Sequence, residues 1–426
     1  MHLDEHKIQQ SGLNIRIVKT KKFKTNQFVL KFKSKLSEEN VTARALLPYV
    51  LQSSTAKWPT TAAFRSHLDD LYGASASVDV NKKGEYHILT FAVDIPNEKY
   101  LQDKTPLTEE ALDVLNEMVF HPLIEHNAFS STVVEAEKRT LKQKLKAVKD
   151  DKMRYASQRL VEEMCSDEAY SLHPNGIESE LESITTEKLY EAYQKMVSED
   201  EVDLYIVGDM EVEQMELLCE NKFSLSERKP VQTDSHSVTV EKAKKVVEKQ
   251  QIKQGKLNIG YRSNTVYGDQ DYLSMAVMNG ILGGFPHSKL FINVREKESL
   301  AYYAASRLES HKGLIVIMSG VDPAKIEKAE SIIEQQLEAI RDGDISEQEL
   351  SQTKAVMTNQ MLETLDSPRG IVEVLYQGET AGIPVHINEW FDGIERVSKE
   401  DVIKAAHKLI KDTTYVLTAT EVAESA

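Results

Sequence analysis

Apolar and polar residues alternate over Leu13-Asn-Ile-Arg-Ile-Val18, over Phe28-Val-Leu-Lys-Phe32 and again over Lys256-Leu-Asn-Ile-Gly-Tyr261. A period of two puts one set of side chains on one face of a strand, so each stretch predicts a half-buried β-strand. Elsewhere the apolar period lengthens to 3.6 residues. Thr108 to Val119, Thr132 to Ala147 and Ala324 to Arg341 therefore predict amphipathic helices. Two further apolar runs, Val202-Asp-Leu-Tyr-Ile-Val-Gly208 and Thr414-Tyr-Val-Leu-Thr-Ala419, predict strands that close each half of the chain.

The pattern repeats. Leu71-Tyr-Gly-Ala-Ser75 leads into an alternating strand, a Lys83-Gly84 turn, a second strand ending Val93-Asp94, and then a helix. Leu300-Ala-Tyr-Tyr-Ala-Ala-Ser306 leads into a strand, a Lys312-Gly313 turn, a strand ending Val321-Asp322, and then a helix. The Lys-Gly turns are 229 positions apart and the Val-Asp pairs 228. Agreement of order and offset points to duplication of one unit. Hairpin-joined strands with helices on one face give an α+β fold: two duplicated domains, each a mostly antiparallel sheet with helices packed on one face. The polar stretch 224–246 has a linker's composition, which places the domains at 1–223 and 247–426.

Composition narrows the function classes. A hydrophobic content of 41% with 28% charged residues is that of a globular protein. No apolar run reaches membrane-spanning length, so no membrane partner is expected. The N-terminus is polar and charged, unlike a secretory signal. Only Cys165 and Cys219 occur, which fits a reducing cytosol and a cytoplasmic location. A net charge of −16 argues against nucleic acid as a partner.

The most informative stretch is Glu38-Glu-Asn-Val-Thr-Ala-Arg-Ala-Leu-Leu-Pro-Tyr-Val-Leu-Gln-Ser-Ser-Thr55, followed by Lys57-Trp-Pro-Thr60. Its layout resembles the active-site helix of the insulinase/pitrilysin metallopeptidases and of the mitochondrial processing peptidases. In that family a His-x-x-Glu-His occupies the frame that here reads Ala45-Leu46-Leu47-Pro48-Tyr49. Two histidines four apart share a helical face and hold one zinc, and the glutamate between them takes a proton from zinc-bound water. Ala45 and Pro48 offer neither ligand nor base, and Tyr49 is a poor substitute for imidazole. Pro48 also removes a backbone donor from a helix interior. The resemblance puts the third ligand, a glutamate, on the helix Val134-Glu-Ala-Glu-Lys-Arg-Thr-Leu-Lys-Gln-Lys-Leu145, where Gln143 and Lys144 stand instead. The whole ligand set is missing, so no metal or other cofactor is expected in this chain.

The similarity spans nearly the entire sequence and is strongest for bacterial members without the zinc motif. Its most specific text is Asn279-Gly-Ile-Leu-Gly-Gly-Phe-Pro-His-Ser-Lys-Leu-Phe-Ile-Asn-Val-Arg-Glu-Lys-Glu-Ser-Leu-Ala-Tyr302. The resemblance implies that Arg295 and Tyr302 grip substrate, facing the zinc of an opposite domain or subunit. A guanidinium and a phenol both donate to a peptide carbonyl or to the oxyanion of hydrolysis. From the residues alone, Arg295 also fits a helix-end ion pair and Tyr302 a half-buried strand aromatic. The adjacent Gly283-Gly284 lacks P-loop or Rossmann spacing and reads as close helix–sheet packing.

One motif is a decoy. His2-Leu-Asp-Glu-His6 matches His-x-x-Glu-His literally, but it precedes the first strand signal, lacks an apolar helical face and sits where chains fray. His121, Glu125-His126 and His173 have the wrong interval or a loop context.

These features together predict a non-catalytic, substrate-gripping subunit of a heteromeric zinc peptidase. Zinc and the general base would come from a homologous partner subunit, forming a heterodimer. The clients would be peptides or small unfolded proteins, added as an edge strand around Ala74 to Val80. Two other readings stay open: a pure scaffold or peptide-binding homologue, and an autonomous zinc metalloendopeptidase with atypical ligands such as His2 and His6.

Overall fold

The structure is a computed structural model that describes residues 3–102, 105–233 and 238–420. It contains two compact units, and neither is a single stretch of chain. One comprises Met1–Lys146, Leu172–Asp234 and Thr364–Tyr376; the other comprises Ala147–Ser171, Ser235–Glu363 and Gln377–Ala426. Each half of the sequence thus supplies one sheet, while a short segment of each half belongs to the unit built by the other. Among the described residues no helix is long and apolar enough to cross a membrane. Cys165 and Cys219 are buried, unbridged and in different units.

The first unit is built on strands β1 (Asp4–Gln10), β2 (Leu13–Lys19), β3 (Thr25–Lys35), β4 (Ser75–Lys83) and β5 (Tyr86–Pro96), a small ribbon of β6 (Ile124–Glu125) with β7 (Ala128–Phe129), and β8 (Glu201–Gly208). Its main sheet has the order β1-β2-β8-β3-β5-β4. Every pairing is antiparallel except β2 with β8. Alternation in β2 and β3 sends Leu13, Ile15, Ile17, Phe28, Leu30 and Phe32 into one core, where the helices Val41–Ser53 and Leu107–Phe120 cover them. The opposite face carries Lys31, Lys33, Asp203 and Tyr205. The segment Thr364–Tyr376 lies there: Lys31 Nζ donates to Glu373 at 2.6 Å and sits 4.4 Å over the Tyr376 ring.

The second unit holds β9 (Lys244–Gln250), β10 (Gly255–Arg262), β11 (Ala301–Glu309), β12 (Leu314–Val321) and β13 (Ile410–Ala419), in the order β11-β12-β10-β13-β9. β10, β12 and the helices Ile326–Arg341 and Lys399–His407 enclose its main core. On the other face Ala156 and Leu160, from the helix Lys152–Met164, pack on Val316, Tyr415 and Leu417.

Strand by strand the sheets correspond. β4, β5, β3, β8 and β2 match β11, β12, β10, β13 and β9 in spatial order. The single parallel pairing also recurs in the equivalent place, β2 with β8 and β13 with β9. The hairpin turns differ in length, Gly84-Glu85 between paired Lys83 and Tyr86 against Ser310–Gly313 between paired Glu309 and Leu314, but each holds a positive-φ glycine, Gly84 at +53° and Gly313 at +69°. Shared strand order and pairing direction make the two sheets copies of one α+β design. β1 has no counterpart among the described residues of the second unit.

Candidate functional site

In the first unit the helix Val41–Ser53 follows β3 and runs unbroken through Pro48. It is secured at both ends. Arg44 grips Asp200 with Nη1–Oδ1 at 3.0 Å and Nη2–Oδ2 at 2.7 Å, both side chains buried. Burial pushes the Asp200 carboxyl up to about 6, against the opposing pull of Arg44. Thr42 Oγ1 donates to Glu180 at 2.6 Å. At the other end Gln52 Nε2 donates to the Ala76 carbonyl of β4 at 2.8 Å, and Ser53 Oγ donates to Glu137 at 2.7 Å.

The positions of the degenerate motif lie between these anchors. Ala45 has 0% exposure and is a core residue with Leu46, Leu47, Val50 and Leu51. Pro48 is buried. Tyr49 is half-buried, and its hydroxyl accepts a 2.6 Å hydrogen bond from Lys144 Nζ, which also stands 5.1 Å over the ring. Gln143 is exposed on the helix Ser131–Asp150. The structure therefore brings the two helices of the ligand set together, and what meets there is a phenol and an ammonium. A methyl group, a prolyl ring, a phenol and an amide do not fit zinc, whose ligands are imidazole, carboxylate and thiolate. The ammonium also repels a dication. A cleft of about 770 Å³ opens beside the helix's N-terminal end, lined by Glu38, Thr42, Glu180, Lys188 and Asp200 among others. Neither Tyr49 nor Gln143 lines it.

The N-terminal decoy has a different conformation from the one its sequence suggests. Asp4–Gln10 is a paired strand rather than a frayed turn, and His6 Nε2 lies 3.1 Å from Asp4 Oδ1. His2 lies outside the described residues.

In the second unit the helix Tyr272–Asn279 continues as a π-helical turn over Gly280–Gly284, and a second π-helical segment, Leu290–Lys297, follows. A Cβ on Gly283 would stand 2.6 Å from Ser306 N and 2.7 Å from Leu290 Cδ1. This glycine lets the turn touch β11. Arg295 is exposed near the end of the second segment, its guanidinium 4.5 Å from the Phe291 ring centroid, with no ion pair among the described residues. The chain then turns through Ser299 at φ +48°, and Leu300 N donates to Val294 O at 3.1 Å. Next comes β11, an edge strand. Ala301 pairs with Val321 and Tyr303 with Gly320, so Tyr302 is an extra residue, bulged out of the ladder. It is 71% exposed. Bulges at sheet edges re-aim side chains. The helix-end ion pair and the half-buried aromatic that the residues alone allowed are both absent.

Sequence reasoning did not find the Gln52–Ala76 tie or the Arg44–Asp200 pair. The first had a local signal, since Gln52 lies one helical turn beyond Tyr49 on the same face. The second joins residues 156 positions apart and had none.

Fold and site together define a two-domain zinc-peptidase homologue without its zinc motif. Residues 183–357 match the family model described as "Peptidase M16 inactive domain". The chain is 50% identical over 421 residues to "Probable inactive metalloprotease YmfF" of Bacillus subtilis, covering 99% of both. It is also similar to the crystal structure of a conserved protein from Enterococcus faecalis, with TM-score 0.93 and 31% identity over 99% of this chain and 100% of that one. A protease from Helicobacter pylori shares the fold at TM-score 0.82 and 15% identity, covering 98% of this chain and 99% of that chain. The chain belongs to the M16 (insulinase) peptidase family and is of its inactive type.

Proposed function

We propose that this chain is the substrate-gripping, non-catalytic subunit of a heteromeric zinc peptidase, with zinc and general base supplied by a homologous His-x-x-Glu-His chain. The observation that carries the reading is Tyr302. A phenol bulged from an edge strand and 71% exposed serves no packing purpose, and an exposed Arg295 lies seven residues before it. Both are donors suited to a peptide carbonyl or a developing oxyanion. The client would be a peptide or small unfolded protein. β4 pairs with β5 alone among the described strands, so its other edge offers main-chain groups to an added strand. The compartment would be the cytoplasm, given two unbridged thiols.

The test is reconstitution. This chain alone should cleave no peptide, and a mixture with the zinc-bearing homologue should gain chelator-sensitive activity that exceeds either chain. If the two chains co-elute yet the mixture is no more active than the homologue alone, the reading fails in favour of a scaffold. The Lys144–Tyr49 bond favours that second reading to one extent: it fills the ligand positions with a stable contact of another kind.

A further inference from the structure

We propose that the Tyr49–Lys144 pair, beside the edge strand β4, binds a carboxylate carried by a peptide, foremost the C-terminal carboxylate of a chain added to β4. This deepens the peptide-binding reading above and rests on it.

The argument begins with Lys144. Two other lysines of its helix hold glutamates, Lys138 with Glu135 at 2.8 Å and Lys142 with Glu182 at 2.7 Å. Lys144 holds none among the described residues, in a chain with 68 acidic residues against 52 basic ones. Its ammonium is spent on a neutral phenol, 2.6 Å from the Tyr49 oxygen. Because that oxygen accepts, the Tyr49 proton remains available for donation. An ammonium with two further N–H groups and a phenolic O–H therefore converge on one place. A carboxylate, which only accepts, satisfies both donors, and charge-assisted bonds of this kind are the strong ones.

The pair is tied to the strand that would carry a peptide. Gln52 is one turn beyond Tyr49 and donates to the Ala76 carbonyl of β4. Further along β4, Lys82 Nζ donates to Leu172 O at 2.8 Å. The adjacent His173 has its pKa lowered to about 4, by burial first and then by Lys82 and Lys144. Both lysines thus act on one imidazole, which places positive charge of both beside it. Here the fixed positive charge is an ammonium, which has no activated water to deliver. It suits the anionic end of a chain better than the neutral amide in its middle.

The test uses the full chain and an N-terminally fluorescent, unstructured peptide of about ten residues in three forms: free acid, C-terminal amide, and amide with a terminal Glu. Fluorescence anisotropy should show the free acid binding about tenfold more tightly than the plain amide, as expected for one charged hydrogen-bonded contact. Lys144→Gln should abolish that ratio by weakening the acid alone, and Lys144→Arg should keep most of it. Lys144 is exposed, so an unchanged melting temperature will show that the variants are folded. The amidated Glu peptide separates the carboxylate sources: binding like the acid means that a side-chain carboxylate is accepted too, and binding like the amide means that the Tyr49–Lys144 pair reads the terminus. If acid and amide bind equally, or if the ratio survives Lys144→Gln, the carboxylate site is wrong while peptide binding stands. If none of the three binds at millimolar concentration, peptide binding itself falls, and this inference with it.

Discussion

The two units share strand order and pairing directions, yet they treat their site elements in opposite ways. In the first, the helix after β3 has been absorbed into packing. Ala45, Leu46, Leu47 and Pro48 are buried, and the remaining ligand positions carry a lysine–tyrosine contact. In the second, the segment after β10 keeps two exposed donors that packing does not require, Arg295 and the bulged Tyr302. Burial explains a residue through stability, whereas an exposed phenol on a bulged edge has no such explanation. The contrast separates a metal site lost to packing from a pair of donors left at the surface.

The sharpest way to break this contrast is to rebuild the metal site. Ala45→His, Pro48→Glu, Tyr49→His and Gln143→Glu together restore the ligand types. If the first unit's helix is now a packing element, the variant should suffer. An imidazole at fully buried Ala45 overpacks the core and buries a polar ring, so the expected loss is on the order of 3–6 kcal/mol. Zinc should remain below one per chain, because Lys144 still stands at the site. Urea unfolding and metal analysis check both. A stable variant holding one zinc would show that only four side chains separate this chain from a metalloenzyme.

In the second unit the prediction inverts. In the reconstituted complex Tyr302→Phe should cut turnover about a hundredfold, since one oxyanion donor contributes on the order of 3 kcal/mol. The same change should move stability by less than about 0.5 kcal/mol, as for an ordinary surface position. Arg295→Lys should also fail to support turnover, because an ammonium lacks the planar fork. Size exclusion must first show that the variants still join the partner. Unchanged turnover would leave the exposed pair without a role.

Much of this contrast was legible in the sequence, and the reasons are local. Period-two runs marked β2, β3 and β10, apolar runs marked β8 and β13, and the Lys-Gly pairs pointed to the duplication, because strand and turn chemistry are short-range. The loss at Ala45, Pro48 and Tyr49 was visible because a ligand set is read residue by residue. The bulge at Tyr302 was not, since register depends on a partner strand about twenty residues away. Nor was the interleaving of the units. Helices such as Lys152–Met164 are amphipathic whichever sheet they cover, so their pattern does not name the partner. The ordered strand at Asp4–Gln10 was missed because its pattern is almost wholly polar, as suits an edge.

A smaller effect concerns acid. His87 is fully buried in the first unit, Nε2 2.8 Å from the Pro174 carbonyl, and burial, then Arg44, lowers its pKa to about 3. The folded value lies below the unfolded one, near 6.5. The contribution is therefore fully present above pH 6.5 and is lost as pH falls toward 3, because the unfolded chain takes up the proton first. Between pH 7 and 5 the loss should be roughly 2 kcal/mol. Asp203 acts in the opposite sense, its pKa raised to about 6 by burial, so its share of stability grows as pH falls through that value. The difference between wild type and His87→Gln isolates the histidine. Thermal melts at pH 7 and 5 should show a flatter profile for the variant, and parallel profiles would remove His87 as the acid-sensitive element of this unit.

The smallest effect tests the duplication at its turns. Gly84 opens its two-residue turn and Gly313 ends its four-residue turn, and both hold positive φ, +53° and +69°, a region that costs an L-residue about 1 kcal/mol. Gly84→Ala should lose about that much. Gly313→Ala should lose more, because its Cβ would stand 3.1 Å from Thr265 N and 3.2 Å from Asn264 Cα. Those neighbours are backbone, and both Ser263 N and Asn264 N donate to the Gly313 carbonyl, so the loop cannot easily retreat. Urea titration of each variant, read against wild type under the same conditions, measures the two losses. If both glycines tolerate alanine without loss, the shared positive φ does not constrain the turns. The match between the two hairpins would then rest on strand order and pairing alone.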